Sequence, residues 1–239
     1  MSQLTDDQLS EFDVEYVTDA RWPPIFDGLA RLPSEFRFLD VGGGNGLFAD
    51  RVLDHFPHAS GVVGDNAPIL LERNAPRAGK RAIVLDALAL PEAGLDRVDV
   101  VFLNWVLHHL VVTGDYVRSR RNIVRVLGDV RWLLEPDGMV SVYENMYDGW
   151  PYHNAPSHLI FRATSTQRWA GAMRRLGANT AGVGVCFQSE ASWRRIFDEA
   201  GFEVVTFTPD EEWQMSRLKR AGLMVRSIHC GHFWLRPAT

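Results

Sequence analysis

The chain has 239 residues, 46% hydrophobic and 23% charged, enough apolar material for one folded core and too much for a disordered chain. A formal net charge of −5 is unfavourable for gripping a phosphate backbone, and no apolar run approaches the ~18–20 residues of a membrane span. The acidic, polar start MSQLTDDQLSEFD is unlike a signal or transit peptide, and the two cysteines, Cys186 and Cys230, lack metal-type spacing, so a cytoplasmic enzyme or binding domain is expected.

Leu9, Phe12 and Tyr16 predict a helix over residues 5–18. Trp22-Pro23-Pro24 breaks it, and Pro24 opens a second short helix ending near Leu32. Phe36–Val41 is an apolar strand running into Gly42-Gly43-Gly44-Asn45-Gly46, with a helix over Leu47–Phe56. Gly61–Gly64 is a strand ending at Asp65, with Pro68 at a helix start; Ala82–Leu85 is the next, ending at Asp86. Val98–Leu103 ends at Asn104 and is followed by a helix from about Asp115 to Leu134. The turn Glu135-Pro136-Asp137-Gly138 leads into a strand over Met139–Tyr143. Strands apolar on both faces and alternating with helices predict an α/β, Rossmann-like, doubly wound sheet.

Further on, Ser189 starts a helix that runs through Ala200 and stops at Gly201, and two late strands, Phe202–Phe207 and Ile228–Leu235, bring the sheet to seven. About 45 residues separate the fifth strand from that helix, where ~2–6 are usual. The excess predicts a helix around Ser157–Leu176 and a loop with Gly177, Gly182 and Gly184. Residues 1–34 and 148–188 would form a helical cap on a domain of residues 35–239.

The glycine loop lies at a strand's carboxyl end, where open parallel sheets bind ligands. A dinucleotide fingerprint starting at Gly42 would need glycine where Leu47 stands, and no lysine follows for a P-loop. The pattern is instead acidic-x-G-x-G-x-G, from Asp40, Gly42, Gly44 and Gly46. Phe38–Phe48 resembles motif I of the class I S-adenosylmethionine-dependent methyltransferases. The resemblance extends through Val63-Gly64-Asp65-Asn66, Leu85-Asp86-Ala87-Leu88, Phe102-Leu103-Asn104-Trp105 and Leu133–Gly138. It implies S-adenosylmethionine as cofactor. Asp65, with Asn66 after it, would hold the ribose diol; Asp86 and the Ala87 backbone would meet the adenine. Asp40 would meet the loop backbone or the methionine amino group, and Asn104 and Trp105 the methionine arm and reacting methyl. As plain structure, Asp65 would be a helix N-terminal charge and Asp86 a loop carboxylate.

Candidates at the reacting end are Asn104, His108, His109, Tyr143, Glu144, Asn145 and Tyr147. Tyr143 and Glu144 alternate across their strand, so one of them faces the pocket. Tyr143 is the residue expected there, with Asn104 and His109 as partners in orienting the acceptor. Ordinary core packing is the competing role for each histidine. Asn104-Trp105-Val106-Leu107 lacks the proline pair of nucleobase amine methyltransferases, so no nucleic-acid partner is expected, and no metal triad of carboxylates is recognisable. Tyr16, Trp22, Trp150, Tyr152 and Trp169 crowd the two extra segments, for cation–π contact or for packing. The expected function is methyl transfer to oxygen or nitrogen of a small molecule in specialised metabolism, by a monomer or homodimer away from membranes. Two competitors remain. One is a cyclase that consumes S-adenosylmethionine and releases methylthioadenosine. The other is a non-catalytic binding subunit, against which Asp40, Asp65 and Asp86 together argue.

Overall fold

A computed structural model describes residues 16–166, 170–171 and 180–238. Most of the first expected helix, including Leu9 and Phe12, lies outside them, as does Trp169; Tyr16–Thr18 is irregular. Helix α1 (Trp22–Leu29) takes Pro23 and Pro24 into its first turn, where a missing N–H loses no helical bond. Then come β1 (Arg37–Val41), α2 (Leu47–His55), β2 (Ser60–Asp65), α3 (Pro68–Leu71) and β3 (Lys80–Val84). A 3₁₀ turn (Ala87–Ala93) leads to β4 (Val98–Asn104), a second one (Leu107–His109) to α4 (Tyr116–Leu133). The chain continues with β5 (Leu134–Gly149), α5 (Ala155–Ser165), α6 (Glu190–Glu199), β6 (Phe202–Glu212), α7 (Arg217–Gly222) and β7 (Val225–Pro237). Ser189 caps α6 as expected, its hydroxyl accepting from Ser192 N–H, and the Asp115 carboxylate caps α4 by accepting from Arg118 N–H.

The strands form one sheet in the order β3-β2-β1-β4-β5-β7-β6. Only β7 runs against the others, pairing antiparallel with both β5 and β6. The order reverses between β1 and β4, so the carboxyl ends of these two strands open a crevice with the glycine loop at its lip. Strand β5 outruns the expected Met139–Tyr143 at both ends. Its register against β4 shifts between Val98 and Val100, and beyond Tyr143 it pairs with β7 as far as Gly149 and Val225. Glu144, Asn145 and Asp148 disguise that extension as loop, whereas here they sit in a paired strand.

Two apolar layers cover the sheet. On one face α4 and α6 deliver Ile123, Val126, Leu127, Trp193, Ile196 and Phe197 onto Val101, Leu103, Val140 and Val142. On the other, α1 and α2 pack Ile25, Leu29, Phe48 and Val52 against Phe36, Phe38, Phe102 and Trp234. The N-terminal segment therefore belongs partly to the sheet's own helical layer. Trp234 donates its indole N–H to Pro24 O at 2.8 Å, and Gly28 lets the helix lie on the indole, for a Cβ there would stand 2.2 Å from Trp234 Cε2. Among the described residues no helix is long and apolar enough to cross a membrane.

Replacing Gly28 with alanine must push α1 off Trp234. The expected cost is about 1–3 kcal/mol, read as a lower denaturant midpoint with an unchanged m-value.

Candidate functional site

A cavity of about 750 Å³ opens at the carboxyl ends of β1, β2, β4 and β5. Its first wall is the glycine loop. Gly42, Gly44 and Gly46 adopt φ of 75°, 46° and 76°, and Gly46 is the left-handed N-cap of α2. Gly42 and Gly44 line the cavity, while Gly46 stands behind them with its Cβ position filled by the Asn74 side chain. Gly43 matters for approach: a Cβ there would lie 2.2 Å from Asp40 Oδ2.

The strand-end acids stand where the sequence places them, in different states. Asp40 is buried, its Oδ2 has no hydrogen-bond partner among the described residues, and burial, reinforced by Asp65, pushes its carboxyl up to about 7. Asp65 accepts from Gly44 N–H (3.0 Å) and Ala67 N–H (2.8 Å), tying the glycine loop to the end of β2. Burial raises its carboxyl above the usual range, and these backbone bonds oppose the rise. Asp86 is exposed and caps the 3₁₀ turn by accepting from Leu88 N–H at 2.9 Å, with Ala87 beside it on the cavity wall. Asn66 completes this side. Asn104, ending β4, lines the cavity with neither carboxamide atom partnered among the described residues.

The next residue, Trp105, has φ 54°, a left-handed conformation costly for a bulky side chain. Its indole N–H donates to Asn145 Oδ1 (3.1 Å), and its ring stacks on Tyr143 with centroids 4.9 Å apart and planes 12° from parallel. Tyr143 is thus not where the sequence puts it. It belongs to the α1–α2 face of the sheet, its hydroxyl donates to Arg21 O at 3.1 Å, and it does not line the cavity. Burial raises its phenol further above the usual range. It supports Trp105 from behind.

Glu144 takes the other face, alternating with Val140, Val142 and Met146. Fully buried, its carboxylate accepts from Leu107 N–H (2.9 Å), His108 N–H (3.3 Å) and Asn145 N–H (3.2 Å), and meets His108 Nδ1 at 2.6 Å. An oxygen surrounded by donors puts a proton on Nδ1, and in the neutral imidazole that makes Nε2 the acceptor, on a residue that lines the cavity. His109 lines it too, its ring 4.2 Å from that of His108. Burial, then His108, holds its imidazole well below the ordinary range, so it is neutral. Of the expected catalytic residues, then, Asn104 and His109 reach the cavity and Tyr143 does not. The His108–Glu144 pair had one sequence signal, a carboxylate placed in register within an apolar stripe.

The remaining walls come from Tyr16, Val17 and Arg21, and from Leu110, Asn145, Val183, Trp213 and Cys230. Trp150 and Tyr152 are 73% and 74% exposed, away from the site, and Trp22 is core. No group of three or more His, Cys, Asp or Glu among the described residues could hold a metal ion.

A family model described as a methyltransferase domain matches residues 18–206. The chain belongs to that family. The resemblance to class I S-adenosylmethionine-dependent methyltransferases holds at the level of family and of sheet order. No curated protein matches it in sequence. Similar solved structures include the mitomycin 7-O-methyltransferase MmcR (18% identity, TM-score 0.59, covering 98% of this chain and 58% of that one). CalO1, a methyltransferase of calicheamicin biosynthesis in its SAH-bound form, aligns at 20% identity and TM-score 0.54 over 92% of this chain and 54% of its own. LepI complexed with SAM aligns at 13% identity and TM-score 0.59 over 94% and 51%. The chain spans little more than half the length of these structures, and the likeness is one of fold.

Asp40 carries a stability signature. Its folded carboxyl lies above the ordinary 3.8, so ligand-free stability is full below about pH 4 and falls as pH rises through about 7. Asp40→Asn removes that loss. Thermal melts between pH 5 and pH 8 should show the wild type losing ground steadily to the variant.

Proposed function

We propose that the protein transfers a methyl group from S-adenosylmethionine to a hydroxyl of a small molecule, with His108 as general base. The residues present suit the donor. An unpartnered buried carboxylate oxygen on Asp40 and an unpartnered carboxamide on Asn104 answer its amino-acid end. Asp65 and Asn66 would take the ribose, Asp86 and Ala87 the adenine, and Gly42 and Gly44 the close backbone approach. Trp105 would border the reacting centre. The bound donor supplies an activated methyl on a sulfonium and is left as a neutral thioether.

The observation that carries this reading is the His108 Nδ1–Glu144 Oε2 pair of 2.6 Å on the cavity wall. A hydroxyl is a poor nucleophile until its proton leaves. His108 Nε2 takes that proton as the new O–C bond forms, and Glu144 stabilises the imidazolium that results. Neutral His109, beside it, adds no competing charge. A neutral amine attacks without prior proton removal, so a dedicated base favours oxygen. It also favours an external acceptor over self-cyclisation of the donor. Among the similar structures, a mitomycin 7-O-methyltransferase and a methyltransferase of calicheamicin biosynthesis support a small acceptor in specialised biosynthesis.

His108→Gln and Glu144→Gln should each lower kcat by ~10²–10⁴-fold in a labelled-donor assay over a panel of small alcohols and phenols, with donor affinity by calorimetry within a few-fold of wild type. Unchanged turnover in both would overturn the base. Methylthioadenosine accumulating from the donor alone would overturn methyl transfer. Donor affinity should rise with pH through about 7, as Asp40 ionises to face the ammonium, and Asp40→Asn should flatten that rise.

A further inference from the structure

The charges lining the cavity are sorted. Asp40, Asp65, Glu72 and Asp86 stand on the glycine-loop side, and Arg21 is the one lysine or arginine among the described lining residues. Arg21 enters from the segment ahead of α1 and is held on three sides. Its Nε donates to Asp210 Oδ2 (2.6 Å), its Nη1 to Tyr16 O (3.0 Å), and its guanidinium carbon lies 5.2 Å from the centre of the Trp105 ring. Its Nη2 has no partner among the described residues, and the side chain keeps 20% exposure. The result is a guanidinium fixed in orientation, with donors to spare, on a ligand-sized cavity.

Beside it lies a fixed flat surface. The Trp105 indole is backed by Tyr143, tied by its N–H to Asn145, and met by the Tyr16 ring at 5.7 Å. Asn145 is itself occupied, accepting from Cys230 Sγ at 2.9 Å. An immobilised aromatic wall binds a planar ring at little entropic cost. The guanidinium over part of that ring keeps Nη2 without a partner among the described residues, placed to meet a carboxylate.

We infer that the acceptor is a planar aromatic hydroxy acid, its ring on Trp105, its carboxylate on Arg21 and its hydroxyl toward His108. The hydroxyl's placement rests on His108 acting as base; the ring and carboxylate seats do not. Asp210 and Tyr16 O orient the guanidinium through Nε and Nη1 and leave Nη2 to the ligand.

The probes are 2-, 3- and 4-hydroxybenzoate, each with its methyl ester, tested in two ways on the full chain. Calorimetry with S-adenosylhomocysteine-loaded protein should show at least one acid binding ~10-fold or more tighter than its ester. Labelled-donor turnover should show the same preference in kcat/KM. Arg21→Met should erase the preference by raising KM for the acid and leaving the ester unmoved, and Arg21→Lys should restore part of it. If Arg21 only pins its segment, acid and ester fall together in both variants, and the inference is overturned. Equal handling by wild type, or no binding of any acid, overturns it as well. A binding preference without turnover upholds the acid seat and sinks the base; turnover of hydroxyls without a preference does the reverse.

Discussion

A carboxylate with no access to water has to find its hydrogen bonds inside the protein, and Glu144 finds them in the loop that follows β4 and in its own neighbour. Leu107, His108 and Asn145 offer backbone N–H groups, and His108 offers its ring. An unsatisfied charge at that depth would be strongly unfavourable, so the loop has little freedom to take another shape. Holding this loop also holds what stands on it: the strained Trp105 backbone, the imidazole tautomer, and the wall between the two ends of the cavity. The electrostatic requirement adds to the apolar anchoring of the same loop by Leu107, Leu110 and Val111 in the core.

The opposite wall works by a different rule. Asp65 is satisfied by two backbone donors, one of them from the glycine loop, whereas Asp40 keeps a buried oxygen unpaired and stays half-ready to ionise near neutral pH. Both are carboxylates at neighbouring strand ends. One is spent on architecture while keeping a face to the cavity, and the other keeps an oxygen without a partner among the described residues.

What could be read in the sequence follows from the same distinction. Asp65 and Asn104 close β2 and β4, Asp40 stands one residue before the end of β1, and Asp86 follows β3 by two residues, so a polar residue at or near the end of an apolar run finds them without a structure. The alternation of helix and strand likewise gave a doubly wound sheet, and the cap at Ser189 marked a helix start. Glu144 stood among the candidates but gave way to Tyr143, because its strand does not end there. Pairing with β7 carries β5 on to Gly149 through residues whose polarity mimics a loop, and their partners, from Gly231 to Val225, lie far along the chain. Choosing between Tyr143 and Glu144 required knowing which face receives α4, and hydropathy favours the tyrosine. Arg21 carries no local signal at all, since its role depends on Asp210 and Trp105, both remote in sequence.

Chain order and spatial order part company at β7. It is threaded between β5 and β6 although both precede it, so each presents an open edge until β7 has emerged from the ribosome. Cys230, on the cavity wall, and Trp234, under α1, arrive with it. Biosynthesis therefore leaves the cavity wall and the seat of the first helix unfinished until β7 has been made, with two adhesive borders to be shielded meanwhile.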